Sequence, residues 1–232
     1  MKTNSLKRRQ FLHQAGGALG VISLGQALAF PSARAAESTA ELEKKAKAEL
    51  EKIMKEMEAQ GKGYLAVPRK DGQFLNWLVK VARAQNVLEI GTSIGFSAIW
   101  ISSGLEETGG KLTTIEILEE RVQKAKENVA KAGLTHRVTF KQGDAHQIVP
   151  ALEGPFDMIF FDADKEGQAD YFNKLYPKKL APGGLLLCHN AIRSRGQMQD
   201  YLDLVTKHPD FDTVIVSATM DDGFALSYRH KK

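Results

Sequence analysis

The chain has 232 residues, 43% of them hydrophobic and 26% charged, the balance of an ordinary folded domain with room for one sizeable core and an appendage. Its formal charge of +4 misleads: Lys2, Lys7, Arg8, Arg9 and Arg34 all lie in residues 1–35, and removing those five from the 32 basic residues leaves 27 against 28 acidic ones, so a nucleic-acid partner loses its main electrostatic support. A single cysteine, Cys188, excludes an intrachain disulfide, and no apolar run reaches the roughly 20 residues of a membrane span.

Residues 1–35 divide into three parts. Lys7-Arg8-Arg9-Gln10-Phe11-Leu12 is a charged start with paired arginines, Ala15 to Phe30 is a mildly apolar run containing glycine, and Ala33-Arg34-Ala35 is a small-residue cleavage pattern. The segment resembles a twin-arginine export signal. That implies a mature protein beginning near Ala36 in the periplasm, with no stable membrane insertion after cleavage. The alternative is a basic amphipathic helix that stays on a cytoplasmic protein.

Residues 36–63 read as a charged helical segment. Leu42, Ala46, Leu50, Ile53 and Met57 form a narrow apolar stripe that can lie on the chain's own domain or on a second copy in a homodimer, and Gly61-Lys62-Gly63 ends it. Residues 64–232 read as one domain. Tyr64 to Asp71 is a loop broken by Pro68, and Asp71 offers an N-cap to a helix over Gly72–Ala84. Asn86 to Ile90 is a buried strand that feeds the turn Gly91-Thr92-Ser93-Ile94-Gly95, and a helix over Phe96–Leu105 starts at once after it. Glycines in such a turn let the backbone approach a ligand, and free helix N–H groups favour an anionic group.

Further strand–helix units follow. The strands are Lys111–Ile115, Val138–Gln142, Phe156–Phe161 and Leu185–Cys188; the helices are Leu118–Ala132, Ala145–Leu152, Gln168–Tyr176 and Gln197–Lys207. Phe211–Val216 and Phe224–Tyr228 are joined by a turn containing Asp221-Asp222-Gly223 and pair antiparallel at one end of the sheet. The alternation predicts an α/β, doubly wound, mostly parallel seven-stranded sheet with an antiparallel last strand. Phe156–Phe161 belongs at its centre because it is apolar almost throughout.

Ligands of such sheets sit at the carboxyl ends of the strands. That rule gathers Gly91, Glu116, Asp144, Asp162 and His189 onto one edge. Glu89 lies two residues before the first glycine, Glu116 closes the next strand and Asp144 the third. A carboxylate at the second position can accept both ribose hydroxyls of a nucleoside, and Asp144 can take an adenine amino hydrogen. Each of these two acids also precedes a helix and could simply cap it. Phe160-Phe161-Asp162-Ala163-Asp164-Lys165 delivers a carboxylate from a buried strand, with a lysine three residues on, and Leu187-Cys188-His189-Asn190 ends the neighbouring strand. Asp162, His189 and Asn190 are therefore candidate ligands of a divalent cation. Cys188 alternates to the opposite face and reads as core.

Taken in order, Asp71-Gly72-Gln73-Phe74-Leu75, Val87-Leu88-Glu89-Ile90-Gly91, Gly95-Phe96-Ser97, Thr114-Ile115-Glu116, Gly143-Asp144-Ala145, Phe161-Asp162-Ala163-Asp164-Lys165 and Asp222-Gly223 resemble the metal-dependent, S-adenosylmethionine (SAM)-using O-methyltransferases of the catechol and caffeoyl-coenzyme A type. The resemblance runs from about Tyr64 to Arg229 and implies a Rossmann-like methyltransferase fold. It implies that Val67, Glu89, Gly91 and Ser97 surround the methionine part of SAM, that Glu116 holds the ribose, and that Asp144 and Ala145 bind adenine. Asp162 would be the first metal ligand and Lys165 the base beside the hydroxyl of a small acceptor, with a catechol-like vicinal diol favoured. The family pattern has Asp-Asn where this chain has His189-Asn190. Loss of that carboxylate disfavours magnesium and favours manganese or a later transition metal, or leaves the site empty. A rival reading is an exported, non-catalytic protein that binds a nucleoside or a metal on the same scaffold. A nicotinamide-dependent oxidoreductase is disfavoured by the missing middle glycine of the turn.

Overall fold

The computed structural model describes residues 33–61, 63–217 and 222–231. The paired arginines Arg8 and Arg9, the apolar run Ala15 to Phe30 and Asp221 lie outside the described residues. In chain order the elements are α1 (Ala33–Gly61), α2 (Arg69–Ala82), β1 (Asn86–Ile90), α3 (Phe96–Thr108), β2 (Lys111–Glu116), α4 (Glu119–Lys131), β3 (Val138–Gln142), α5 (Ala145–Ile148), β4 (Phe156–Phe161), α6 (Gln168–Leu175), β5 (Leu180–His189), α7 (Gln199–Lys207), β6 (Phe211–Val216) and β7 (Phe224–Arg229).

The strands form one seven-stranded sheet in the order β3-β2-β1-β4-β5-β7-β6. β1 through β5 run parallel, and β7 is antiparallel to both β5 and β6. The chain builds outward from β1 to β3, then crosses back to place β4 on the other side of β1. The reversal of strand order opens a crevice between the carboxyl ends of β1 and β4. β4 is central, and its last four residues are buried on both faces, as a parallel strand under two helix layers demands.

Alternation along the strands assigns side chains to two cores. Val87, Leu112, Met158, Phe160, Leu187 and Phe224 join α2 and α3 on one face. Leu88, Ile90, Ile159, Phe161 and Cys188 join α6 and α7 on the other. Burial of such large apolar side chains contributes about 1.5–3 kcal/mol each, so the sheet is fixed from both sides. From Glu43 onward α1 belongs to this body: Ile53, Met54 and Met57 are at most 5% exposed within the first core. The stripe expected on this helix is thus spent, in that part, on the chain's own domain.

Of the boundaries that differ from the sequence reading, three have a visible physical cause. α2 starts at Arg69, before Asp71, because Pro68 at the N-cap position presets the entry and Arg69 Nε and Nη2 donate to Glu58 at 2.6 and 2.9 Å. Asp71 is therefore inside the first turn rather than its cap. β5 begins at Leu180, not Leu185; Pro182-Gly183-Gly184 is accommodated by a shift of register opposite Phe156 and Met158. The expected helix Ala145–Leu152 is one α-helical turn followed by a 3₁₀ turn at Val149–Ala151, since Pro150 cannot continue the α-helical hydrogen bonds.

Candidate active site at the switch point

The turn after β1 is held where the crevice opens. Gly91 has φ 101°, and a Cβ there would sit 2.7 Å from the backbone of Asp162 at the end of β4. Only glycine lets the two strand ends come so close. Ser93, at φ 49°, donates its N–H to Glu116 Oε2 at 2.8 Å, and Leu118 N donates to Glu116 Oε1 at 3.1 Å. Glu116 thus ties the glycine turn to the end of β2 while each of its oxygens keeps a second lone pair.

These elements bound a cavity of about 630 Å³, the size of a small-molecule site. Val67, Gly91, Ser97, Glu116, Asp144, Ala145 and Asp162 all line it. Asp144 Oδ1 caps α5 by accepting from His146 N at 2.8 Å, so the capping role holds for one oxygen and leaves Oδ2 for a ligand. Glu89 is fully buried beneath this wall and is not part of the lining. Its Oε2 accepts from Thr114 Oγ1 at 2.6 Å, while Oε1 has no hydrogen-bond partner among the described residues. Burial pushes the Glu89 carboxyl up to about 8; the hydroxyls of Ser97 and Thr114 oppose the rise and the charges of Asp162 and Glu116 add to it.

The carboxylates and hydrogen-bonding backbone fit SAM. A sulfonium amino acid brings a ribose diol, which Glu116 on the cavity wall can accept, and an ammonium, which Glu89 Oε1 can accept where the wall that covers it opens to the ligand.

The second half of the site is an ion network. Alternation in β4 and β5 puts Asp162 and His189 on the sheet face covered by α2, since Phe161 pairs with Cys188 one position earlier. His189 Nδ1 lies 3.2 Å from Asp162 Oδ1, and its Nε2 lies 2.9 Å from Asp71 Oδ2 in the first turn of α2. Lys165 Nζ donates to Asp162 Oδ1 at 2.8 Å. Burial works against a charge on His189, but Asp162 and Asp71 prevail and raise it to about 9. Burial likewise opposes ionisation of Asp162, and His189 and Lys165 hold it below the ordinary carboxylate range.

This arrangement departs from the expected cation site of Asp162, His189 and Asn190. Both ring nitrogens of His189 are taken by carboxylates, so neither offers a lone pair, and Asp162 Oδ1 is shared by His189 and Lys165. Asn190 follows in the left-handed region at φ 65°, its backbone carbonyl accepting from Ser194 N. With both His189 nitrogens engaged, the expected trio is one ligand short for a divalent metal in this packing.

Asp71 and His146 were not among the expected site residues. Asp71 sat in a motif that reads locally as a helix start, and its partner lies 118 positions away. His146 lines the cavity, stacks on Tyr171 at 4.2 Å between ring centroids and lies 2.5 Å from Asp170. Burial lowers its basicity, and hydrogen bonds to Asp170 and Asp164 more than restore it. Cys188 is buried in the opposite core, as expected.

Sheet order, glycine turn and converging carboxylates define a Rossmann-like α/β protein whose switch-point cavity suits a nucleoside-bearing ligand. Residues 36–208 match the sequence profile described as O-methyltransferase. A catechol O-methyltransferase of Mycobacterium tuberculosis is 33% identical over 179 residues, covering 70% of this chain and 80% of that protein. A catechol O-methyltransferase of Niastella koreensis is 39% identical over 134 residues, covering 56% of this chain and 59% of that protein. A caffeoyl-CoA O-methyltransferase of Populus trichocarpa is 33% identical, and the match spans about half of each chain, 53% and 51%. Among solved structures, an O-methyltransferase from Bacillus cereus in complex with SAH superposes with a TM-score of 0.70 at 27% identity, covering 78% of this chain and 90% of that one. The O-methyltransferase TomG from Streptomyces achromogenes in complex with SAM gives 0.68 at 27%, covering 78% and 89%. The chain belongs to the O-methyltransferase family.

Proposed function

We propose that the chain is a SAM-dependent O-methyltransferase acting on a small-molecule hydroxyl, with a catechol-like vicinal diol as acceptor. The observation that carries this reading is the meeting, in one cavity, of the Gly91 turn, Glu116 and Asp144 with Asp162, to which Lys165 is bonded. Val67, Gly91, Ser97 and Glu89 hold the methionine part, Glu116 the ribose, Asp144 Oδ2 and Ala145 the adenine. SAM supplies a methyl on a sulfonium, already activated for in-line attack, so the chain's work is positioning and making the acceptor anionic.

The ammonium of Lys165 that rests on Asp162 first yields a proton to solvent; as the amine Lys165 then takes the proton of the acceptor hydroxyl, and Asp162 holds the re-formed ammonium in place. The Lys165–Asp162 pair presents a nitrogen and a carboxylate 2.8 Å apart. That spacing matches two hydroxyls on adjacent ring carbons, one facing Nζ and the other donating to the carboxylate. The names of the catechol O-methyltransferase relatives support the same acceptor class. The test is titration with SAM followed by methylation assays on catechol and on phenol. The expected result is a SAM complex and a monomethyl ether from catechol in preference to phenol. SAM binding with no methyl transfer to any hydroxyl acceptor would favour the non-catalytic binding protein instead.

We further propose export by the twin-arginine route, carried by Arg8, Arg9 and the Ala33-Arg34-Ala35 pattern. N-terminal sequencing of protein from the periplasmic fraction is expected to begin near Ala36; intact Met1 in the cytoplasmic fraction would refute it.

A further inference from the structure

We propose that this methyltransferase works without a divalent cation, with His189 supplying the fixed positive charge that a metal would otherwise bring. The proposal rests on the methyltransferase reading above and concerns how the acceptor is made anionic.

The argument starts from lone pairs. A neutral imidazole has one N–H and one lone pair, yet both nitrogens of His189 face carboxylate oxygens, Asp71 Oδ2 at 2.9 Å and Asp162 Oδ1 at 3.2 Å. The ring satisfies both only by donating twice, and a ring that donates twice cannot ligate. Its side chain is 5% exposed and that of Asp71 is 1% exposed, so the pair is shielded from solvent. A different set of donors lies close by: one atom each from Asp71, His189 and Asp222 fall within 4.8 Å of one another. These are spoken for as well, since Asp222 Oδ1 accepts from Arg193 Nη1 at 2.9 Å and Asp71 Oδ2 faces His189. One buried oxygen of this cluster, Asp71 Oδ1, has no hydrogen-bond partner among the described residues, and one donor does not make a cation site.

The charges close in the same way. Once Lys165 has taken the acceptor's proton, the carboxylates Asp71, Asp162 and Asp222 face the cations His189, Lys165 and Arg193. A divalent ion added to this set would find each of these carboxylates already facing a cation and only the acceptor's oxyanion left to neutralise it. His189, at the end of β5 beside Asp162, instead fixes one positive charge permanently where a dissociable ion would sit. Its role is electrostatic and positional: it orients Asp162, which orients Lys165. The transfer balances without a metal. The acceptor hydroxyl gives its proton to Lys165 Nζ, its oxygen forms the new bond to the methyl carbon, and the C–S bonding pair stays on sulfur as a neutral thioether. Lys165 returns the proton to solvent after product leaves. A neighbouring cation of this kind brings a phenolic pKa of ~10 down by about 1–3, enough for an activated methyl donor.

The test uses the full chain, its metal content measured by plasma mass spectrometry, with catechol methylation followed in EDTA and with added Mg²⁺, Mn²⁺, Co²⁺ or Zn²⁺. The expected result is substoichiometric metal and a rate that EDTA leaves within about twofold, whereas loss of a needed metal costs far more. Stoichiometric metal, or a rate lost in EDTA and regained with a cation, would overturn the proposal. His189→Asp restores the family's carboxylate and frees Asp162. This variant is expected to gain a Mn²⁺-dependent thermal shift and a methylation rate that falls about tenfold or more in EDTA. A thermal shift with Mn²⁺ in the unmodified chain would overturn the proposal even if no methylation were seen. Absence of methylation with any cation, with no Mn²⁺ shift, would sink the methyltransferase reading and leave the lack of a metal site standing.

Discussion

Lys165→Ala is expected to lower catechol methylation by about 10²–10⁴-fold while leaving SAM affinity unchanged, the loss set by removal of a general base. Lys165 is bonded to Asp162 Oδ1, outside the contacts assigned to adenine, ribose and methionine, so ground-state binding of the methyl donor has no reason to change. Asp162→Ala is expected to lose a similar factor by a different route. It removes the carboxylate that aims Nζ, and it leaves His189 with Asp71 alone. A small drop in thermal stability accompanies that second change, because a buried charged group loses one of its two hydrogen bonds. The two effects are not additive: with Lys165 gone, Asp162 has nothing left to orient, so the double variant is expected to match the single ones. Normal turnover in both single variants would remove Lys165 and Asp162 from the chemistry.

The second large effect is at Glu89. Its carboxyl is held up to about 8 by burial, above its ordinary 4.5. Below the lower value folded and unfolded chains are both protonated and the residue contributes nothing to the pH dependence. Between about 4.5 and 8 the folded chain keeps a proton that the unfolded chain gives up, so stability falls as pH rises across that window and levels off above it. Glu89→Gln abolishes the slope. The variant is therefore expected to melt several degrees above the parent at pH 8 without SAM, and level with it at pH 4. Bound SAM reverses the balance, because an ammonium on Oε1 favours the ionised carboxylate. SAM affinity of the parent is expected to rise with pH between 6 and 8 with release of a proton, which calorimetry in buffers of different ionisation enthalpy reads directly. In the variant the affinity falls by about 10–100-fold, the ~1.5–3 kcal/mol of a charged hydrogen bond. Equal affinity and an equal pH profile of melting would show that Glu89 meets no ligand.

The sheet was legible because its strands are short apolar runs punctuated by glycine and proline, and β3, β4 and β6 begin and end where the sequence puts them. The position of β4 at the centre followed from Met158, Ile159, Phe160 and Phe161, which leave no polar face for solvent. β5 was read short because Pro182-Gly183-Gly184 looks like a turn; pairing with β4 across a register shift overrides that local preference. The carboxyl-end rule gathered Glu116, Asp144 and Asp162 at one edge, and Asp144 proved to be both cap and cavity wall. What the sequence could not disclose was how Asp162 and His189 use their atoms. Seen one at a time they are ligands, but the α2 turn brings Asp71 to the far side of His189 and turns a donor set into a closed chain of ion pairs. That contact depends on the packing of α2 over β5, for which no local pattern exists. Glu89 was placed with the methionine contacts, and its depth below the cavity wall is likewise a product of packing.

The most direct measurement is a crystal structure of the chain with SAH. The adenosyl group is expected in the crevice beyond β1 and β4, with its ribose hydroxyls on Glu116 and its amino group on Glu89 Oε1. Density for SAH anywhere else, or in the crevice with Glu116 turned from the sugar, would contradict the account.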